Sequence, residues 1–485
     1  MTFYNINLEN FKRFKSESID LSGKITLLLG PNSSGKSSVL KALLGIKQTF
    51  SASNEHEGFA SQGDYVDLGT FKDYVFLHDT KLPVSLSLTI SAKELLGIAS
   101  IFHSMEKLTV KLTYDFDSIS EQARILSIEV YEEKNANTAL ISVIRKKTRN
   151  SYVIKVSKGC SDIIEGYFRV DGKLESSDAW LEGFTVHHQE KLRFSTTSDA
   201  TRKKDDLSFQ LANLPFAIFT SILDRLSSEF NNEIFYLGPL RRSPARSYTR
   251  TTHSIDVGPN GEHTPSVFSN LERRQKKVTR GKSEYKDNYD YVTGWLRTIF
   301  PDREVSAETY EELVKLKVTR ISNGRGDHND VISDVGFGFS QVFPILVQAA
   351  VMPLNSILII EQPELHLHPM AQSRLAKVIA SAARKGSKFI IETHSEHFLR
   401  GLQLEISKDS QTSKPGLMNT DLRVFYVPEY PAKIHEMKLN EWGEFEQEWP
   451  SGFFDEAYKL SYELIKRKAD AIEKKSEKLR NEIKK

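Results

Sequence analysis

One eight-residue segment constrains this chain more than any other. Residues 30–37 read GPNSSGKS and match the phosphate-binding pattern G-x-x-x-x-G-K-[ST]. The segment follows the apolar run Ile25–Leu29 and precedes apolar residues at helical spacing, so strand, glycine-rich turn and helix come in the order that the pattern requires. The sequence therefore predicts a P-loop that binds ATP through these residues: Gly30, Pro31, Asn32, Ser33, Ser34, Gly35, Lys36, Ser37 and Ser38.

Each part of this loop has a chemical task. The glycines let backbone N–H groups close around the phosphates, and the start of the following helix adds its positive end. Lys36 neutralises charge on the β- and γ-phosphates, and Ser37 is a ligand for Mg²⁺. We therefore expect ATP and Mg²⁺ to bind here together.

Polar residues also follow two buried apolar runs in the C-terminal half. The run at 357–360 ends in Glu361, Gln362 and Glu364, and the run at 389–391 is followed by Thr393-His394-Ser395. A carboxylate at the end of a buried strand can hold Mg²⁺ and orient the attack on phosphate. The sequence thus predicts a catalytic group of Glu361, Gln362, Glu364 and His394, with Ser37 and Glu361 as the metal ligands.

Other chemistry receives less support. Glu364, His366 and His368 occupy alternate positions, a spacing that metal ligands can have, but no further ligand completes such a site. Capping of a helix that starts at Pro369, or a contact between subunits, fits this segment better. Cys160 is the single cysteine, which excludes an internal disulfide and favours a buried thiol in a reducing compartment.

Composition limits the partners. The chain has 485 residues and a formal net charge of +2, too small for its overall field to predict nucleic-acid binding. It lacks an apolar run long enough for a bilayer and a signal peptide, so we expect a cytoplasmic protein without membrane contact. DNA binding stays open through two basic segments: Arg241, Arg242, Arg246 and Arg250, and Arg273, Arg274, Lys276, Lys277, Arg280 and Lys282.

The periodicity of apolar residues changes along the chain and predicts an α/β fold in five parts. These are the N-terminal half of an ATPase core with the P-loop (1–80), a β-rich antiparallel lobe (81–205), a helical and Arg-rich insertion (206–325), the C-terminal half of the core (326–450) and a charged C-terminal helix (451–485). Residues 250–290 are expected to be polar, basic and mobile. In the last part Ile465, Ile472 and Leu479 lie seven apart, as in a coiled coil or a solvated helix.

Several motifs in order resemble one family. NFKRF, GPNSSGKSS, GFGFSQVFPIL, IIEQPELHLHP and ETHSEHFL resemble the OLD-like branch of the ABC ATPases, relatives of RecF and SMC heads; YLGPLRRSPARSY and WPSGFFDEA are weaker likenesses. The resemblance implies an ABC-type P-loop NTPase head, split by a long insertion, that forms a homo-oligomer, a dimer or higher. In that ATP sandwich, residues 336–341 of one chain cap the ATP on Lys36 of the other through Gly336, Gly338, Ser340 and Gln341. Residues 67–71 would approach a coupling loop, with Gln62 as its glutamine.

Two departures from the family pattern bear on function. ABC ATPases place Asp then Glu at the end of the Walker B strand, whereas this chain has Glu361 then Gln362, and an amide cannot accept a proton from water. We expect that Glu364 can serve as the base in its place. OLD nucleases also carry a Toprim domain, and the roughly ninety residues after His394 contain no D-x-D motif, so we expect no nuclease activity.

The resemblance implies a slow ATPase that acts as sensor or scaffold of a prokaryotic anti-phage system, similar to the ATPase subunits of PARIS or Septu, and controls a separately encoded effector nuclease. The alternative is a RecF- or SMC-like ATPase of DNA repair or chromosome maintenance that acts on DNA directly.

Overall fold

The computed structural model describes residues 3–51, 58–135, 137–146, 151–160, 214–251, 255–278, 288–322, 325–409 and 417–448, with short pieces at 163, 173–174, 177–182, 185–188, 194–195, 463 and 465–468. The strands are β1 (Phe3–Phe11), β2 (Phe14–Asp20), β3 (Ile25–Leu29), β4 (Val84–Ser91), β5 (Lys107–Asp117), β6 (Gln122–Glu132), β7 (Ile141–Arg145), β8 (Tyr152–Val156), β9 (Lys173–Leu174), β10 (Ser177–Glu182), β11 (Thr185–His188), β12 (Phe194–Ser195), β13 (Ile234–Leu237), β14 (Tyr248–Thr249), β15 (Arg303–Tyr310), β16 (Leu313–Ser322), β17 (Arg325–Val331), β18 (Ile357–Glu361), β19 (Lys388–Glu392), β20 (Leu422–Tyr426) and β21 (His435–Glu436). The helices are α1 (Lys36–Ser51), α2 (Phe71–Tyr74), α3 (Leu214–Asn232), α4 (Thr264–Val278), α5 (Asn288–Ile299), α6 (Phe337–Val351), α7 (Pro369–Lys385) and α8 (Glu396–Asp409).

A six-stranded sheet unites the two ends of the described chain. Its order is β13-β18-β19-β3-β20-β21, and all its strand pairs except β20 with β21 are parallel. The short strands β3 and β18 are buried along their whole length, as strands covered on both faces are. The predicted α/β fold is confirmed, with β3 inserted between strands that lie more than 300 residues later.

A nine-stranded antiparallel sheet forms a second layer. Its order is β11-β10-β8-β7-β6-β5-β4-β1-β2, so the alternating pattern after residue 81 does produce an antiparallel lobe. This sheet also includes the first two strands, because β1 pairs with β2 on one side and with β4 on the other. The sheet therefore runs without a break across residue 80, where the sequence suggests a boundary.

Within residues 250–290, predicted as a polar and mobile stretch, the described residues 255–278 include a packed helix. Helix α4 lies there and buries Val267, Phe268 and Leu271. The helix is amphipathic, and its narrow apolar stripe lies among charged residues such as Arg273 and Arg274, which are exposed. Strands β14 to β17 form a further antiparallel sheet; β14 to β16 lie in the insertion, which the sequence indicated as helical, and β17 begins at its predicted end, residue 325.

Two hydrophobic cores cover the opposite faces of strand β3. Leu28 packs into one core with the antiparallel lobe, and Leu27 and Leu29 pack into the other core with α6 and α7. Because successive side chains of a strand point to opposite faces, this short strand is fixed from both sides. The turn that follows it is thereby held in place.

The predicted C-terminal helix mostly lies outside the described residues. Of its apolar repeat, only Ile465 lies within them, and its side chain is 66% exposed. In the portion of the chain that the structure describes, helices long and apolar enough to cross a membrane are absent.

Candidate nucleotide-binding site

The P-loop connects β3 to α1 as the sequence predicts. Gly30 and Gly35 have positive φ angles of 149° and 97°, in which side chains are strained. A Cβ on Gly30 would lie 2.2 Å from the carbonyl oxygen of Val427, and one on Gly35 would lie 2.5 Å from Cδ of Arg13. Both positions thus require glycine for conformation and for space.

Lys36 is buried at the start of α1. Its Nζ donates to the carbonyl oxygens of Gly30, at 3.1 Å, and of Pro31, at 2.7 Å. The same Nζ lies 3.9 Å from Oε1 of Glu392. Burial lowers the pKa of Lys36, while Glu392 and Glu364 oppose that shift. The ammonium group is therefore held over the loop and faces carboxylates from the neighbouring strands.

Arg13 covers the outer side of the loop. It lies in the turn between β1 and β2, and its Nη1 donates to the carbonyl oxygen of Ser34 at 2.5 Å. Its Nη2 donates to the carbonyl oxygen of Glu429. The NFKRF motif thus supplies a clamp on the P-loop backbone, which the motif alone did not reveal.

Two carboxylates end adjacent strands beside the loop. Glu361 ends β18 and Glu392 ends β19, and the two residues are direct register partners. Since β19 lies between β18 and β3, Glu392 is nearer the P-loop, where it accepts a hydrogen bond from the Ser37 side chain. Burial raises the pKa of Glu392 to about 7, and the neighbouring charge of Glu361 contributes. Sequence analysis missed Glu392, although it also ends a buried strand.

Glu364 and His394 are in direct contact. Oε1 of Glu364 accepts a hydrogen bond of 2.7 Å from the backbone N–H of His394. The imidazole of His394 is hydrogen-bonded to the carbonyl oxygen of Gly30, so it lies at the mouth of the P-loop. Burial raises the pKa of Glu364 and lowers the pKa of His394, where Lys36 adds to the shift.

Gln362 directly follows the Walker B strand. It has a left-handed φ of 44°, and its N–H donates to the carbonyl oxygen of Glu392 at 2.8 Å. A non-glycine residue in this conformation costs on the order of 1–3 kcal/mol, and such residues cluster at functional sites.

Tyr236 and Arg241 also belong to this site. The Tyr236 hydroxyl donates to Oε1 of Glu361 at 2.8 Å, and Nη2 of Arg241 donates to the Glu361 carbonyl oxygen at 2.9 Å. The sequence assigned Arg241 to a basic segment open to nucleic acid, but the residue is only 5% exposed, so that assignment is wrong. Burial lowers the pKa of Arg241 to about 10. Both residues are brought here by β13, which pairs with β18.

The predicted capping segment, residues 336–341, begins helix α6. Gly336 precedes the helix and is exposed, whereas Ser340 and Gln341 are buried. A Cβ on Gly338 would lie 2.6 Å from the carbonyl oxygen of His366. None of the hydrogen bonds or ion pairs among the described residues joins this segment to the P-loop of its own chain.

Three further residues that the sequence singles out lie outside the nucleotide site. His368 caps α7 by accepting a hydrogen bond from the N–H of Met370, with Pro369 at the first helical position, so the capping interpretation is confirmed. Cys160 is buried, which raises the pKa of its thiol to about 12. Gln62 lies on an exposed turn, bridged to Asp67, and its role in a coupling loop stays a prediction. Within the described ranges, clusters of three or more histidine, cysteine or acidic residues fit for a metal ion are absent.

The site fits Mg²⁺ and phosphate. Buried Oε2 of Glu392, Oε2 of Glu364 and Oγ of Ser34 have no hydrogen-bond partner among the described residues. A carboxylate oxygen without a partner is a suitable ligand for a hard cation, and a hydroxyl beside backbone N–H groups can donate to phosphate. Ser37, Glu361 and Glu392 are the residues that would hold the cation.

Comparison with known proteins decides the family. A family model described as an AAA ATPase domain matches residues 1–399. The chain belongs to this AAA ATPase family. A comparison with curated proteins gives no match.

Solved structures similar to this AAA ATPase include an SMC head domain from Thermotoga maritima, with 12% identity and a TM-score of 0.37 over 91% of this chain and 100% of that one. An SmcHead bound to the C-winged helix domain of ScpA has 12% identity and a TM-score of 0.41 over 91% and 99%. An Smc head domain with an extended coiled coil, bound to the C-terminal domain of ScpA derived from Pyrococcus furiosus, has 11% identity and a TM-score of 0.41 over 90% and 96%.

Proposed function

We propose that this AAA ATPase binds Mg-ATP between two copies of the chain and hydrolyses it slowly, as the sensor or scaffold of an anti-phage system. One observation carries the nucleotide site: at the edge where parallel strands end, Glu392 contacts both Lys36 and Ser37 beside its register partner Glu361, and Glu364 also acts on Lys36. Ligands bind at this edge in open α/β sheets.

The residues divide the chemistry among them. Lys36 and the backbone N–H groups of the P-loop bind the β- and γ-phosphates, and Ser37, Glu361 and Glu392 hold Mg²⁺. Bound Mg²⁺ neutralises charge that develops on the phosphates. Glu364 is the base for the attacking water, since one of its oxygens is fixed by His394 and the other is unpartnered. Gln362 stands where a base is usual and cannot accept a proton, which makes hydrolysis slow.

The dimer would be head to tail. Residues 336–341 lie at a helix start, where exposed N–H groups suit phosphate, yet they have no bond to their own P-loop. Open space surrounds Gly336, which leaves room for a nucleotide of another copy. ATP would then join two chains, and hydrolysis would release them.

The defence role rests on the resemblance of the ordered motifs to ATPase subunits that hold a separate nuclease. Direct action on DNA has less support, because Arg241 is buried and Arg246 pairs with Asp334 at 3.1 Å. A contact with DNA would use the exposed residues Arg242, Arg273 and Arg274.

Calorimetry with Lys36→Ala tests the nucleotide site. We expect ATP affinity to fall at least hundredfold, since the loop loses its only ammonium group beside the phosphates. Lys134→Ala, whose side chain is 73% exposed in the lobe, is the matched control and should bind like the original chain. Unchanged affinity in Lys36→Ala would remove the site assignment.

Light scattering with Gly336→Arg tests the sandwich. A Cβ added at Gly336 meets no atom within 4 Å in the single chain, so ATP binding should persist while ATP-dependent doubling of the mass is lost. Gly294→Arg, equally unobstructed on α5, should still dimerise. Dimers of Gly336→Arg would contradict the head-to-tail arrangement.

Phage challenge of cells that carry the chain with its neighbouring genes tests the biological role. Protection that needs both Lys36 and a neighbouring nuclease gene is the expected result. Salt-sensitive binding of duplex DNA by the purified chain, without any protection, would support the DNA-acting alternative.

A further inference from the structure

Arg241 is the least satisfied charge in the site. Its Nη2 donates to the carbonyl oxygen of Glu361, but Nε and Nη1 are buried and have no hydrogen-bond partner among the described residues. Nor does its guanidinium form a salt bridge with any carboxylate in the described chain. Glu364 and Glu361 act on it only through space.

A permanently charged group in this condition is costly to the fold. Arginine keeps its proton at neutral pH, so it cannot avoid the free-energy cost of a buried charge by losing that proton. A buried charge without hydrogen bonds or a paired anion destabilises the folded state, and replacing it by an apolar residue of similar volume often stabilises a protein. Packing therefore gives no reason for an arginine at this position.

The position itself indicates the missing anion. Arg241 holds the backbone of Glu361, whose register partner Glu392 contacts Ser37 and lies beside Lys36. The guanidinium is thus at the end of the Walker B strand, among the carboxylates that face Lys36. An anion reaching beyond Lys36 in this direction is the terminal phosphate of a nucleoside triphosphate.

We propose that Arg241 binds the γ-phosphate of the nucleotide held by its own chain and so makes the site distinguish ATP from ADP. The planar guanidinium presents paired N–H donors that match phosphate oxygens. Its Nη2 is held by the carbonyl oxygen of Glu361, whereas its Nε and Nη1 have no partner in the part of the chain that the structure describes and would bind the ligand. This inference rests on the proposed nucleotide site.

Calorimetry with Arg241→Met and Arg241→Lys tests it, using a non-hydrolysable ATP analogue and ADP, each with Mg²⁺. Arg241→Met should lower affinity for the ATP analogue ten- to a hundredfold and leave affinity for ADP within twofold. Arg241→Lys should retain part of the preference because it keeps the charge. Arg242→Met is the matched control, since Arg242 is the exposed neighbour.

Thermal unfolding without nucleotide separates this role from a structural one. If Arg241 serves the nucleotide, Arg241→Met should melt at the same temperature as the original chain or higher. A lower melting temperature together with equal losses of both nucleotides would overturn the inference, as would an unchanged ATP preference. If Lys36→Ala also binds ATP normally, the proposed function itself fails, which is a different result.

Discussion

The two large sheets differ in which of their buried polar groups have hydrogen-bond partners. In the antiparallel lobe, Ser85 pairs with Thr113 and Thr89 with Thr109 across neighbouring strands, at 3.2 and 2.9 Å. The unpartnered buried groups of that region include the hydroxyls of Tyr74 and Tyr114, which are neutral. At the edge of the parallel sheet, the unpartnered atoms of the described residues include the Ser34 hydroxyl but are mostly charged: one oxygen each of Glu364 and Glu392, and two nitrogens of Arg241.

This contrast separates stability from function. Neutral hydroxyl pairs satisfy one another and support a fold, whereas unpaired charges weaken it and are kept where a ligand completes them. Mutations in the lobe are therefore expected to change the free energy of unfolding. Mutations at the edge of the parallel sheet are expected to change ATP binding and hydrolysis.

The largest expected effect is on turnover at that edge. Glu364→Gln should lower the rate of ATP hydrolysis a hundredfold or more, because general-base catalysis contributes about 10²–10⁴-fold. Gln362→Glu should raise the rate by placing a carboxylate after the Walker B strand. Steady-state phosphate release measures both, with Glu133→Gln in the lobe as control. Brisk turnover that survives Glu364→Gln would show that another residue is the base.

A pair of core substitutions tests whether the two regions are separable. Ile128→Ala in the lobe and Leu358→Ala in the parallel sheet each remove a fully buried side chain, and each should lower the free energy of unfolding by about 2–5 kcal/mol. Leu358→Ala should also weaken ATP binding, since its strand carries Glu361. Urea unfolding and calorimetry give both numbers. If Ile128→Ala weakened ATP binding more than tenfold, the lobe would be part of the nucleotide site.

The smallest effect concerns Lys47, which belongs to both regions. It lies on α1 behind the P-loop, and its Nζ donates to the carbonyl oxygen of Phe230 on α3 at 2.7 Å. Burial lowers the pKa of Lys47 to about 8 from 10.5. The folded state then binds fewer protons than the unfolded state between these values, so the free energy of unfolding should rise with pH across that window.

Lys47→Met should remove this rise, which is on the order of 3 kcal/mol at most. Urea unfolding of both proteins at pH 7.5 and pH 10 isolates the contribution from that of other lysines and tyrosines. Equal pH dependence in the two proteins would mean that Lys47 keeps an ordinary pKa.

Sequence patterns predicted those parts of the candidate site that are formed by consecutive residues. The P-loop and the strands that end at Glu361 and before His394 all lie where the sequence indicates. Glu392, Tyr236 and Arg241 were missed because their roles depend on which strands are neighbours, and strand order is fixed by long-range packing. Arg241 shows the limit most clearly, since both of its neighbours in sequence, Leu240 and Arg242, are exposed.

The same limit explains α4 and the boundary at residue 80. The three large apolar residues that the helix buries, Val267, Phe268 and Leu271, are followed by charged residues, so its composition resembles a solvated loop. Strand β1 reads as part of the ATPase core, yet its partner β4 lies beyond residue 80, and no local pattern records that pairing.

The position of β3 between β19 and β20 also sets the order of events at the ribosome. The strand is complete at residue 29, but its neighbours are not made until residues 388–392 and 422–426. At about 5–20 residues per second, roughly 20 to 70 seconds pass before the first of them leaves the peptidyl-transferase centre. All strands of the antiparallel lobe precede residue 189, so the lobe can assemble during that wait. A chain whose translation stops early would thus carry a folded lobe without a nucleotide site, and only a nearly complete chain could respond to ATP.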